Sequence, residues 1–171
     1  MSLVRPAGLI ACACAMVLSA CSPTAPSTTE TPVQAVADPP GSPVLAAIVD
    51  LTNEERTREG LAALRADARL SRAAQIQAEQ MARAGRLDHV LPEAMHPRPE
   101  DRLAAAGYPW QAYGENLAVG YPDARSVVAG WIDSPGHRAN IVGTAFTEIG
   151  AGHALDSSGR PYYAQVFGRP R

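Results

Sequence analysis

The chain of 171 residues has a hydrophobic content of 46% and a charged content of 19%. This composition suits one globular domain with a real core, and the length is too short for two ordinary domains. The formal net charge of −2 excludes a general electrostatic attraction to nucleic acid. We therefore expect a single domain, a monomer, with no nucleic-acid partner.

Residues 1–20 are predicted to be a lipoprotein-type signal peptide. A single basic residue, Arg5, precedes an apolar stretch from Leu9 to Leu18, which is too short to cross a bilayer as a mature helix. The sequence Leu-Ser-Ala-Cys that ends at Cys21 resembles the lipobox of bacterial lipoproteins, in which the cysteine is lipidated and becomes the mature N-terminus. This resemblance predicts export and a membrane anchor on Cys21, at the cell surface or in the periplasm. The alternative is an ordinary signal peptide and a secreted protein.

Residues 21–43 are predicted to be a tether. The segment is rich in Pro, Thr, Ser and Ala and has almost no large apolar residue, so burial cannot offset the entropy of ordering it. Removal of the leader also removes Cys12 and Cys14. The folded part then has no cysteine, and we expect packing and hydrogen bonds alone to hold it together.

Hydrophobic periodicity predicts several helices after the tether. The first begins near Val44 and ends at Gly60, and the second runs from Ala68 to Ala84 with Gly85 as its stop signal. A short helix is expected from Glu100 to Ala106, and another from Asp123, as N-cap, to about Trp131.

The C-terminal part is predicted to form two antiparallel strands. The runs from Phe146 to Leu155 and from Pro161 to Phe167 flank a turn-forming sequence, Asp-Ser-Ser-Gly, at residues 156–159. Alternation in the second run puts Tyr163 and Phe167 on one face of the sheet. Helices first and strands last predict an α+β layered domain.

Three segments of the second half contain the candidate functional residues. They are Gly-Glu-Asn-Leu-Ala at 114–118, Trp-Ile-Asp-Ser-Pro-Gly-His-Arg at 131–138, and Phe-Thr-Glu-Ile-Gly-Ala-Gly at 146–152. Glu115 and His137 thus lie on two turn-rich segments, which suits a site better than a core. The Glu115 carboxylate can act as a general base or a hard metal ligand, or it can cap backbone donors. The His137 imidazole can bind metal or carry a proton, or it can be hydrogen-bonded to the scaffold.

These three segments resemble, in order and spacing, the signatures of the CAP superfamily of SCP/PR-1-like, or Tpx-1-like, domains in their short bacterial form. The resemblance implies an α-β-α sandwich with a small antiparallel sheet over residues 44–169. In that family a cleft is lined by two histidines and two glutamates. The resemblance puts Glu115, His137 and His89 at three of these positions, while Asp133 and Ser134 stand where the second glutamate is expected.

The resemblance also implies what the cleft does. His89, His137 and Glu115 are expected as ligands of Zn²⁺ or another divalent metal, with Asn116 and Arg138 completing the cleft as scaffold residues. The expected function is binding of a small ligand, lipid or peptide in this His/Glu-lined cleft, at the cell envelope. The alternative is a metal-dependent, protease-like hydrolase with Glu115 and His137 as catalytic residues.

Overall fold

A computed structural model describes residues 36–37 and 42–171. The predicted signal peptide, Cys21 and most of the predicted tether lie outside these residues. The strands are β1 (Val36–Ala37), β2 (Arg65–Ala66), β3 (Trp110–Val119), β4 (Glu148–Leu155) and β5 (Pro161–Pro170), and the helices are α1 (Pro43–Arg58), α2 (Ala68–Ala84), α3 (Pro99–Ala105), α4 (Ala124–Asp133) and α5 (Pro135–Ile141). Two residues of the predicted tether therefore form a strand.

The sheet is mainly antiparallel, in the order β1-β4-β5-β3, and β2 adds a short parallel pairing to β4. Strand β5 pairs along its length with β4 on one side and with β3 on the other. The predicted antiparallel pair is thus confirmed as β4 and β5. Strand β3 lies at the edge of the sheet.

Helices cover both faces of the sheet and bury two separate cores. On one face, α2 and α3 pack over residues such as Tyr162 and Val166 of β5. On the other face, α1, α4 and α5 pack over Tyr163 and Phe167, so the predicted alternation along β5 is confirmed. The expected α-β-α sandwich is confirmed as well.

Local signals explain where α2 begins and ends. Asp67 precedes it as N-cap, and its carboxylate accepts hydrogen bonds from the backbone N–H groups of Arg69 and Leu70. Gly85 follows it with φ of 61°, in the left-handed conformation that favours glycine. The predicted bounds of α2 are confirmed at both ends.

Helix α2 rests directly on the backbone of β4. A Cβ atom placed on Gly150 would lie 2.1 Å from the Ser71 nitrogen, and one on Gly152 would lie 2.4 Å from the Ala74 carbonyl carbon. Only glycine leaves room for the helix at these two positions.

Within the described residues, no helix has the length and apolar character needed to cross a bilayer.

Candidate functional site

Glu115 lies in the middle of β3, where it pairs with Val166 of β5. The expectation that residues 114–118 form a turn-rich segment is therefore wrong. Gly114 and Asn116 are poor strand formers, and they hide the strand in the sequence. The strand buries the Glu115 side chain at 4% exposure and aims it towards the loop between α2 and α3.

The carboxylate of Glu115 is held by a buried arginine. Arg102, on α3, is 1% exposed, and its Nη2 donates to Oε1 and Oε2 of Glu115 at 3.1 and 3.0 Å. The same Nη2 donates to the backbone oxygen of His89 at 3.1 Å. A buried carboxylate needs such a partner, because an unpaired charge in a protein interior is expensive.

His89 completes this cluster from the loop that follows α2. Its Nδ1 lies 2.8 Å from Oε1 of Glu115, while the rest of the side chain is 53% exposed. The hydrogen bond to Glu115 raises the pKa of His89, and burial only partly opposes this. The imidazole is therefore held through Nδ1 although its side chain is about half exposed.

His137 lies in the first turn of α5, which begins at Pro135. The residue is half-buried. Burial lowers the pKa of His137, and a smaller contribution in the same direction comes from the charge of His89. The charge of His89 thus disfavours a second charge on His137, and the pKa shifts of the two imidazoles differ in sign.

Asn116 connects α5 to the sheet through a chain of buried amides. Its Nδ2 donates to the backbone oxygen of His137 and to Oε1 of Gln165, each at 3.1 Å, and its Oδ1 accepts from Asn140 at 2.9 Å. Gln165 donates in turn to the hydroxyl of Thr52 on α1 at 2.7 Å. The expected scaffold role of Asn116 agrees with this geometry, because every polar atom of its amide has a partner.

Arg138 points away from Glu115. Its Nη2 lies 2.8 Å from a carboxylate oxygen of Glu59, the C-cap of α1, and 3.5 Å from one of Glu55 within α1. Arg138 therefore connects α5 to the C-terminal end of α1 through ion pairs and does not contact the cluster of Glu115, Arg102 and His89.

The sequence did not identify three residues near Glu115, which are Arg102, Glu100 and Tyr113. Tyr113 donates a hydrogen bond to Glu100, and desolvation followed by this bond raises the pKa of Tyr113 to about 12. Tyr113 precedes Glu115 by two residues on β3. A charged residue in a short helix is typical of a solvent-facing position, so only the tertiary contact with Glu115 reveals Arg102.

The observed donors do not fit the predicted three-ligand metal centre. Within residues 36–37 and 42–171, no group of three or more His, Cys, Asp or Glu side chains is arranged to hold a metal ion. Both oxygens of Glu115 are already bonded to Arg102, and one of them also faces His89. A catalytic zinc site needs three protein ligands and an open position, and here the carboxylate is engaged elsewhere.

A separate cavity of about 560 Å³ opens between α1 and α2, beside β4. Its apolar lining comes from Leu45, Val49, Ile76 and Ala151. The charged residues that border it are Arg72, Asp50 and Glu79, and Glu79 is paired with Arg83. Among the described residues, no carboxylate forms an ion pair with Arg72. The cavity is therefore an apolar space with one cation and two carboxylates at its border.

Comparison with known proteins agrees with this fold and these motifs. The family model of the CAP domain, the cysteine-rich secretory protein family, matches residues 49–167. Two curated relatives come from Bacillus subtilis (strain 168). The uncharacterized protein YkwD is 35% identical over 71% of this chain and 46% of its own length, and the uncharacterized membrane protein YlbC is 35% identical over 70% of this chain and 33% of its own length. The chain thus spans less than half the length of either relative.

Solved structures show the same architecture. An extracellular protein containing an SCP domain from Bacillus anthracis str. Ames superposes with a TM-score of 0.65 at 30% identity, over 73% of this chain and 40% of that chain. An outer surface protein from Borrelia burgdorferi superposes with a TM-score of 0.66 at 21% identity, over 74% of this chain and 92% of that chain. The sandwich, the Gly-Glu-Asn strand and the Gly-His helix define a CAP domain of bacterial type. This chain belongs to the cysteine-rich secretory protein family.

Proposed function

We propose that the protein is an exported, lipid-anchored CAP-domain protein that acts at the cell envelope by binding an amphipathic small molecule or lipid. The observation that carries the binding role is the apolar cavity between α1 and α2, bordered by Arg72. A volume of about 560 Å³ lies in the range of small-molecule sites, which are mostly apolar with a few placed polar groups. Arg72 would pair with a carboxylate or phosphate on the ligand.

Export and anchoring are supported by the leader and by the lipobox that ends at Cys21. They are also consistent with the extracellular origin of the Bacillus anthracis relative. Metabolic labelling with a palmitate analogue tests the anchor: the chain should incorporate label and fractionate with membranes, and Cys21→Ser should abolish both. A Cys21→Ser chain that is still labelled would rule out lipidation at this residue.

The His/Glu-lined cleft is the other expected binding surface. His89 contacts the buried Glu115 and is about half exposed, and its charge acts on the half-buried His137. The hydrolase alternative requires Glu115 as a base or as a metal ligand, whereas both oxygens of this carboxylate already accept hydrogen bonds from Arg102. Zinc titration by calorimetry on the parent and on a His89→Ala, His137→Ala double variant tests the metal expectation directly.

Ligand binding is tested with a fluorescent fatty-acid analogue and, in parallel, with a neutral analogue of equal chain length. Filling the cavity with Val49→Phe should abolish binding of both probes. Arg72→Gln should weaken the acidic probe by about tenfold, the usual value of one charge-assisted contact, and leave the neutral probe unchanged. Arg125→Gln, an exposed arginine on α4, is the matched control. Binding that survives in a folded Val49→Phe chain would contradict the proposal.

A further inference from the structure

Arg102 makes more contacts than a salt-bridge partner of Glu115 requires. Besides the two carboxylate oxygens and the backbone oxygen of His89, its Nη1 lies 3.3 Å from the backbone oxygens of both His96 and Pro97. One guanidinium therefore bonds a carboxylate and three loop carbonyls while it is 1% exposed. The planar, five-donor group of arginine suits such a set, and a lysine ammonium does not.

The three carbonyls belong to the loop that carries His89. This loop, residues 86–98, lies between α2 and α3. Apolar contacts do not hold most of it, because Leu87, Val90 and Met95 are exposed at 46%, 42% and 87%. Leu91 is the large apolar residue of the loop that is fully buried.

Polar contacts from the two flanking helices hold the loop instead. Gln80 on α2 donates to the backbone oxygen of His96 and accepts from its N–H, at 3.0 and 3.1 Å, and Gln77 donates to the backbone oxygen of Asp88 at 2.6 Å. Arg102 holds the same loop from α3 and is the residue among these that also contacts Glu115. The guanidinium of Arg102 thus joins the loop backbone to Glu115, which the two glutamines do not.

We infer that Arg102 is the positioning residue of this site. Its guanidinium supplies the positive charge at Glu115 and fixes the loop that brings His89 to Glu115. The His89–Glu115 pair therefore forms without a metal ion. The mismatch between the donor set and a three-ligand centre has the same explanation, because a built-in cation already neutralises the carboxylate. This inference does not rest on the ligand-binding proposal, which concerns the cavity between α1 and α2.

The experiment separates positioning from simple charge pairing with Arg102→Met, Glu115→Gln and the double variant. Each single substitution leaves a buried charge unpaired and should lower the urea midpoint. The double variant has no unpaired charge and should regain most of that midpoint, yet it still lacks the donors for the loop carbonyls. Arg83→Met, an exposed arginine on α2 paired with Glu79, is the matched control.

Two readouts follow the loop itself. The amide of Leu91 donates to the backbone oxygen of Pro97, and its hydrogen exchange should be about tenfold faster or more in the double variant, since local opening becomes easier. Long-range ¹H–¹⁵N spectra report the protonation of each ring nitrogen of His89. The signature of a held Nδ1 should be lost in Arg102→Met, which keeps the Glu115 carboxylate. Normal Leu91 protection in the double variant, together with an unchanged His89 signature in Arg102→Met, would overturn the inference.

Removal and addition of metal on the unmodified protein test the inference even if Arg102→Met fails to fold. After treatment with EDTA, Leu91 protection and the His89 ring signature should equal those of the untreated protein, and added Zn²⁺ should not increase the protection. A loop that becomes protected only when Zn²⁺ is added would show that a metal, and not Arg102, positions His89.

Discussion

Replacing Gly150 with alanine tests the contact between α2 and β4. The new Cβ would lie 2.1 Å from the Ser71 nitrogen and 2.3 Å from the Leu70 carbonyl carbon. Both atoms belong to the helix backbone and cannot rotate away. Restoring an ordinary contact of about 3.4 Å requires α2 to move by about 1.3 Å, and its buried face would then leave the core that it shares with Leu103 and Tyr162.

The expected cost is about 3 kcal/mol, at the upper end for overpacking, because the displaced element is a whole helix. The corresponding fall in melting temperature is about 10 °C. Urea unfolding followed by circular dichroism measures the cost as a lower midpoint at constant slope. Gly136→Ala on α5 is the matched control: a Cβ there meets nothing within 4 Å, so the substitution should stabilise by about 0.5 kcal/mol. A Gly150→Ala chain within about 0.5 kcal/mol of the parent would refute the reasoning.

Three further predictions concern caps, buried polar groups and pH. Asp67→Ala should lower the free energy of unfolding by about 1 to 2 kcal/mol at pH 7 because α2 loses its N-cap. The hydrogen bond from a neighbouring arginine lowers the pKa of Asp67, so this stabilisation is present above the unfolded-state pKa and is lost as pH falls through the folded-state pKa. An acid titration of both proteins measures the loss. Thr52→Val leaves the Gln165 amide without its acceptor and should lower the free energy of unfolding in urea by about 1 to 3 kcal/mol. Thr52→Ser keeps the hydroxyl and should lower it by less, and equal losses in the two variants would contradict a hydrogen-bonding role. The bond to Glu115 raises the pKa of His89. The stabilisation from this bond is therefore complete below the unfolded-state pKa of about 6.5 and is lost as pH rises through the folded-state pKa. The difference in unfolding midpoint between the parent and His89→Gln should shrink from pH 5 to pH 9, and a difference that grows would contradict the pairing.

The helices were the part of the fold most accessible from the sequence. The bounds of α2 follow from an apolar stripe between a capping residue and a glycine stop, and both signals are local. Strand β3 carries no such signal, because Gly114 and Asn116 interrupt its pattern. Its partner β5 begins more than forty residues later in the chain, so its pairing is set by tertiary contacts that no short window contains.

The candidate site was only partly accessible, for the same reason. Resemblance to a known family identified His89 and Glu115, and the structure brings these two side chains into contact. It could not identify Arg102 as their partner, because the guanidinium and the carboxylate meet only after α3 packs beside β3. It also assigned Arg138 to the cleft, while the fold directs that side chain to α1.

The outer edge of β3 is closed by side chains. The indole Nε1 of Trp131 donates to the backbone oxygen of Leu117 at 3.1 Å, and Nδ2 of Asn140 donates to that of Glu115 at 3.2 Å. A strand at the edge of a sheet otherwise offers such carbonyls to any extended chain that approaches. Two helices thus end the sheet where a further strand from another molecule would have to join. This protects a domain that contains no cysteine from edge-to-edge aggregation.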